Sequence, residues 1–208
     1  MIITEFEKLP IMGILRGITG EMIEPLTQTV ISSGLKTIEI TMNTIDASEL
    51  IMKLKKYSEG NLVIGAGTVL SMQQLEEALK AGASFIVMPV IIDEIVEYCV
   101  NNKIPVFPGA LTPNEIFHAW NLGATMVKVF PAKVFGLDYF KEIKAPLNNV
   151  KLMATGGVSS GNIGDFIKNG ADAVSFGASI FNTEWMKNGE YNKIETMIKE
   201  MITNYRSI

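Results

Sequence analysis

Residues 63–89 read VIGAGTVLSMQQLEEALKAGASFIVMP, and the way this stretch divides decides the fold. Val63-Ile64-Gly65-Ala66 is a short apolar run. Ser71 then stands where a helix takes a capping hydroxyl, the segment from Met72 to Ala81 is helix-like, and Gly82 occupies the C′ position where a helix turns away. A second apolar run, Phe85 to Pro89, follows at once. The unit is strand, helix, strand. Because each run is apolar at nearly every position instead of alternating, it reads as a parallel strand covered on both faces.

Outward from this unit the same pattern recurs. Apolar runs stand at Ile11-Leu15, Thr37-Thr41, Val63-Ala66, Phe85-Pro89, Val106-Pro108, Met126-Phe130, Leu152-Thr155 and Ala173-Gly177, eight in all. The spacing leaves room for one strand, one helix of about three turns and two tight loops. Thr112-Pro113 and Ser159 open two further helices. Ser33-Gly34, Ala81-Gly82-Ala83, Leu122-Gly123-Ala124 and Asn169-Gly170-Ala171 are one phrase repeated, a glycine turning a helix into the next strand. After the eighth run, Tyr191, Ile194, Met197, Ile198, Met201, Ile202 and Tyr205 fall at helical spacing and predict a closing amphipathic helix. No G-x-G-x-x-G fingerprint follows the first run, which favours a closed ring over an open doubly wound sheet. The expected fold is α/β: a single-domain (β/α)8 TIM barrel spanning residues 1–208, with function at the C-terminal ends of its strands.

Composition narrows the function classes. The chain has 208 residues, 48% hydrophobic and 19% charged, with a formal net charge of -4. There is no basic stripe, so nucleic acid is not an expected partner. No apolar run reaches membrane-spanning length, and Met1 to Lys8 lacks the character of a signal peptide, so no membrane partner is expected and the protein is expected to be cytoplasmic. The single cysteine, Cys99, excludes an internal disulfide and reads as core.

The chemistry lies in polar residues that interrupt apolar strands. Glu39 sits between Ile38 and Ile40, and Lys128 between Val127 and Val129. Side chains alternate along a strand, so if the aliphatics face the helices, carboxylate and ammonium both point into the barrel. Each offsets the cost of burying the other, as a structural ion pair or as a catalytic one. Arg16 ends the first strand and Thr68 follows the third, where a guanidinium fork suits a carboxylate. The glycine turns at Gly156-Gly157 and Gly177-Ala178-Ser179, after strands seven and eight, are placed to hold a phosphate or second carboxylate with backbone N–H groups beside helix starts. His118, the only histidine, cannot supply a histidine ligand cluster, so neither metal nor cofactor is expected. Lys133, in the loop after Pro131, is the weaker rival of Lys128 as a nucleophile.

The phrases Ile-Leu-Arg-Gly-Ile at 14–18, Glu-Ile-Thr-Met-Asn-Thr at 39–44, Gly-Ala-Gly-Thr-Val at 65–69, Lys-Val-Phe-Pro-Ala at 128–132 and Thr-Gly-Gly-Val at 155–158 occur in an order that resembles the 2-keto-3-deoxy-6-phosphogluconate and 4-hydroxy-2-oxoglutarate aldolase family. The resemblance runs from about Pro10 to the final helix. It implies a homotrimeric class I lyase acting on a small keto acid, in which Lys128 forms a Schiff base and Glu39 moves protons. It also implies that Thr68 and an arginine hold the pyruvate carboxylate and that the two glycine turns hold the distal phosphate. Asn43, expected to join Arg16 and Thr68 at the carboxylate, stands where gluconate-type members often carry arginine. Galactonate-type members have asparagine in that loop and arginine in the first-strand motif, but usually proline where this chain has Thr41. A barrel of this kind also admits a phosphosugar isomerase or epimerase, or a non-catalytic barrel that binds a phosphorylated metabolite.

Overall fold

The computed structural model describes residues 2–208. Its strands are β1 (Ile11–Leu15), β2 (Thr37–Thr41), β3 (Val63–Gly67), β4 (Ile86–Val87), β5 (Val106–Phe107), β6 (Gly109–Ala110), β7 (Val127–Val129), β8 (Leu152–Thr155) and β9 (Ala173–Phe176). The helices are α1 (Ile2–Lys8), α2 (Ile23–Ser33), α3 (Ala47–Ser58), α4 (Met72–Ala81), α5 (Asp93–Asn101), α6 (Pro113–Asn121), α7 (Asp138–Lys144), α8 (Ile163–Lys168), α9 (Thr183–Lys187) and α10 (Tyr191–Arg206). All strand pairs are parallel, in the order β5-β4-β3-β2-β1-β9-β8-β7-β6. The two ends of this order are joined by Pro108 alone, so one stretch of chain closes the ring.

The expected fifth strand is thus split. Pro108 has no N–H to give to a ladder, and the halves on either side of it pair with different neighbours, β5 with β4 and β6 with β7. Gly109 completes the join, because a Cβ there would lie 2.3 Å from the Pro89 carbonyl oxygen.

Alternation along the strands sorts side chains into two layers. Ile11, Leu15, Ile38, Ile40, Val127 and Val129 pack outward against the helices, while Met12, Phe85, Val87, Phe107, Met126 and Met153 fill the barrel interior. Gly65 leaves space for this filling: a Cβ would stand 2.2 Å from the Phe85 ring. α1, a helix not foreseen from the sequence, closes the bottom by inserting Phe6, whose ring meets that of Phe107 edge-on at 5.7 Å.

Helix ends follow the local chemistry. The Ser71 hydroxyl accepts from the Gln74 N–H, and Thr112 and Glu115 form a reciprocal capping box. Gly34, Gly82, Gly123 and Gly170 all have positive φ, between 86° and 105°. The expectation for Ser159 does not hold: α8 begins later, at Ile163, because the Asn162 side chain accepts from the Ser159 N–H and so shapes the preceding turn. α10 runs as expected and buries Ile194, Ile198, Met201 and Ile202.

Candidate active site

Glu39 and Lys128 occupy inward positions of β2 and β7, as the flanking aliphatics require. Glu39 is 1% exposed; its carboxylate lies so close to β3 that a Cβ on Gly67 would stand 2.3 Å from Oε1. Burial pushes its pKa up to about 7, against the pull of Lys128 and Arg16, and Oε2 has no hydrogen-bond partner among the described residues. That combination is unlike a closed structural ion pair, which would hold the carboxyl low. Burial also holds the Lys128 ammonium below the ordinary lysine range; Glu39 opposes this and Arg16 adds to it. Lys128 Nζ lies 5.2 Å from the centre of the Phe130 ring.

Above Lys128 opens a cavity of about 420 Å³. Its walls bring together Arg16, Lys128, Gly156, Gly157, Gly177, Ala178 and Ser179, gathered from the ends of β1, β7, β8 and β9. Gly156 and Gly157 have φ of 89° and 90°, and the Ser179 hydroxyl donates to the Val158 carbonyl at 3.1 Å, tying the two glycine turns together. Among the described residues, the N–H groups of Gly157, Ala178 and Ser179 form no hydrogen bond within the chain and remain free for an anion. The expected helix starts do not stand directly beside these turns. α8 begins six residues after Gly157, and the N-terminus of α9 is already capped by the Asn182 side chain.

Thr68 is not among the residues lining the cavity, but its hydroxyl lies 3.5 Å from Nη2 of Arg16, which is. Asn43 is exposed and is not among the side chains lining the cavity. The lining residues that sequence reasoning did not assign include Thr155 and Ser175, buried neighbours on β8 and β9 whose hydroxyls are 2.6 Å apart. Their one sequence signal is the period-two rule, which places each on the inward row of its strand. Lys133 is exposed in the turn after β7 and His118 bonds Asp93 at the surface, both outside the cavity lining. Cys99 is buried, its thiol pushed up to about 12 by burial, and so it is inert core. No helix among the described residues is long and apolar enough to cross a membrane.

The sequence profile described as KDPG and KHG aldolase matches residues 2–197. The chain belongs to the KDPG and KHG aldolase family. It is 33% identical over 175 residues to the 2-dehydro-3-deoxy-6-phosphogalactonate aldolase of Escherichia coli (strain K12), covering 84% of this chain and 85% of that one. With the 2-dehydro-3-deoxy-phosphogluconate aldolase of Treponema pallidum (strain Nichols) it shares 27% identity across 96% of this chain and 97% of the relative. A solved structure described as native KDPGal superposes with a TM-score of 0.89 at 30% identity, covering 96% of both chains. The KDPG aldolase of Legionella pneumophila, with pyruvate captured as a covalent carbinolamine, superposes with a TM-score of 0.88 at 25% identity, over 97% of this chain and 98% of that one. As a member of this family the chain is a class I aldolase, an aldehyde-lyase that releases pyruvate and an aldehyde. The isomerase and sensor alternatives, which rested on the barrel alone, give way to this family.

Proposed function

We propose that Lys128 is the Schiff-base lysine and Glu39 the proton-transfer group for cleavage of a 2-keto-3-deoxy-6-phospho sugar acid, of gluconate or galactonate type, or of 4-hydroxy-2-oxoglutarate. The observation that carries this is a lysine at the base of the cavity, held below its ordinary range by burial, with a buried carboxyl near neutrality close by. The free amine of Lys128 attacks the C2 ketone to give a carbinolamine, and loss of water gives a protonated imine. Glu39, as carboxylate, takes the C4 hydroxyl proton; the C3–C4 bond breaks, the aldehyde leaves, and the electron pair is held as an enamine. Protonation at C3 and addition of water release pyruvate and restore the amine. A group titrating near 7 serves both directions of proton transfer at neutral pH.

Arg16 and Thr68 are assigned to the substrate carboxylate, and the N–H groups of Gly157, Ala178 and Ser179 to the distal phosphate or carboxylate. Asn43, exposed and, like Thr68, outside the cavity lining, stands with Arg16 and Thr68 as part of the same carboxylate proposal. We also infer a cytoplasmic location, as the sequence leads us to expect, and a homotrimer, the state the resemblance implies; exposed Val134 and Phe135 beyond β7 offer apolar surface for a subunit contact. The test is borohydride reduction with pyruvate followed by peptide mapping. The expected adduct is on Lys128, and an adduct elsewhere, or none, overturns the assignment.

A further inference from the structure

Thr44, in the loop after β2, is a buried polar residue that the reaction just described does not use. Its Oγ1 accepts the Gly17 N–H at 3.1 Å and lies 3.0 Å from Oγ1 of the fully buried Thr41, to which its own hydrogen is free to go. The Thr44 backbone is fixed independently: its N–H donates to the Thr41 carbonyl at 2.9 Å, and its carbonyl accepts from Ala47 at 3.2 Å. The hydroxyl is therefore not needed to shape its own loop. What it does is join the loop after β2 to the end of β1.

Gly17 follows Arg16 directly and has φ of 64°, so the chain turns back immediately after the arginine. The Arg16 guanidinium then reaches the Thr68 hydroxyl, and Thr68 is itself left-handed at φ 54°. The Met42 N–H donates to the carbonyl of Gly67, the last residue of β3, at 2.7 Å, so the start of the loop after β2 is held to the end of β3. The loops after β1, β2 and β3 are thus joined through Gly17–Thr44 and Arg16–Thr68, and the Thr44–Gly17 bond holds the residue that directly follows Arg16.

We propose that Thr44 is a positioning residue for Arg16: by accepting the Gly17 N–H, it fixes the backbone from which the guanidinium meets the carboxylate of the keto acid. This rests on the assignment of Arg16 to that carboxylate. The charged groups facing Lys128 are Glu39 and Arg16, and of these Arg16 disfavours the ammonium. Freeing Arg16 therefore also moves the titration of Lys128 upward.

The experiment compares Thr44→Val, which keeps the shape and removes the hydroxyl, with Thr44→Ser, which keeps the hydroxyl. Thr44→Ala makes the same comparison if the valine variant does not fold. In Thr44→Val the pyruvate concentration for half-maximal borohydride trapping, and the KM for cleavage, are expected to rise about tenfold while kcat falls less than about threefold. The pH midpoint of trapping is expected to move up, and Thr44→Ser is expected to restore all three. An unchanged KM and midpoint, or an equal loss in Thr44→Ser, overturns the positioning role. Arg16→Met separates the two layers of the argument. If it leaves pyruvate trapping unchanged, the carboxylate assignment falls and the positioning role with it; if it weakens trapping and Thr44→Val does not, only the positioning role falls.

Discussion

At Glu39 two effects oppose each other: burial raises the carboxyl from 4.5 to about 7, although Lys128 and Arg16 both pull it down. A carboxyl raised in the folded state favours folding fully below its unfolded pKa, and that contribution is lost as pH climbs through the folded value. The window is therefore pH 4.5 to about 7. At ~1.4 kcal/mol per pKa unit the full loss is on the order of 3 kcal/mol. Wild type is expected to lose stability relative to Glu39→Gln across that window, measured as the difference between their urea midpoints; a constant difference would mean that the carboxyl is not raised. The same substitution is expected to keep the pyruvate adduct on Lys128 and lower turnover about a hundredfold or more, read by single-turnover kinetics. If turnover is unchanged, Glu39 leaves the mechanism. Both residues were legible in the sequence because a charge inside an apolar run needs a reason. Thr155 and Ser175 were not, since a small hydroxyl in such a run looks like core filling. Thr44, next to Asn43, was not legible as the buried one, because loop sequence alone does not say which of two neighbours turns inward.

Between elements, the place of the Glu39 carboxylate of β2 against β3 is set by a missing side chain. Gly67 carries no Cβ, and the Glu39 carboxylate occupies the space one would fill. Gly67→Ala is expected to displace that carboxylate, costing about 1–3 kcal/mol from overpacking and at least about tenfold in turnover, while the adduct on Lys128 still forms. Urea unfolding and borohydride trapping on one preparation check this, and normal turnover would show that the carboxylate tolerates the shift. Glycines at helix ends were legible because a repeated phrase marks a repeated turn, and the capping box at Thr112 and Glu115 is a local pattern. The split of the fifth strand and the late start of α8 are not legible in the sequence. Pro108 divides its ladder between two partners that are far apart in sequence, and Asn162 builds a turn where Ser159 alone suggested a cap.

Over the whole molecule the barrel has an open mouth and a plugged end. Arg16, Lys128 and the glycine turns gather at the C-terminal mouth, while α1 closes the opposite end with Phe6 among Met12, Phe107, Met126 and Met153. The eight-unit repeat made the ring readable, but α1 lies outside the repeat, and seven residues that include Thr4, Glu5, Glu7 and Lys8 are too short and too polar to announce a plug. Phe6 is nonetheless 2% exposed, and Glu7 bonds Lys151 at 2.7 Å, so α1 is anchored by an apolar insertion and by a surface ion pair of smaller worth. Phe6→Ala removes a ring from a packed interior and is expected to cost about 3–5 kcal/mol, lowering Tm by roughly 6–20 °C. Because the cavity lies at the other end, kcat and the pyruvate KM per folded molecule are expected to stay within about twofold of wild type below the new melting transition. Calorimetry and an assay for pyruvate release on the same sample measure the two quantities. A lowered kcat at an unchanged Tm would mean that the plug acts on the chemistry and not on the barrel's stability.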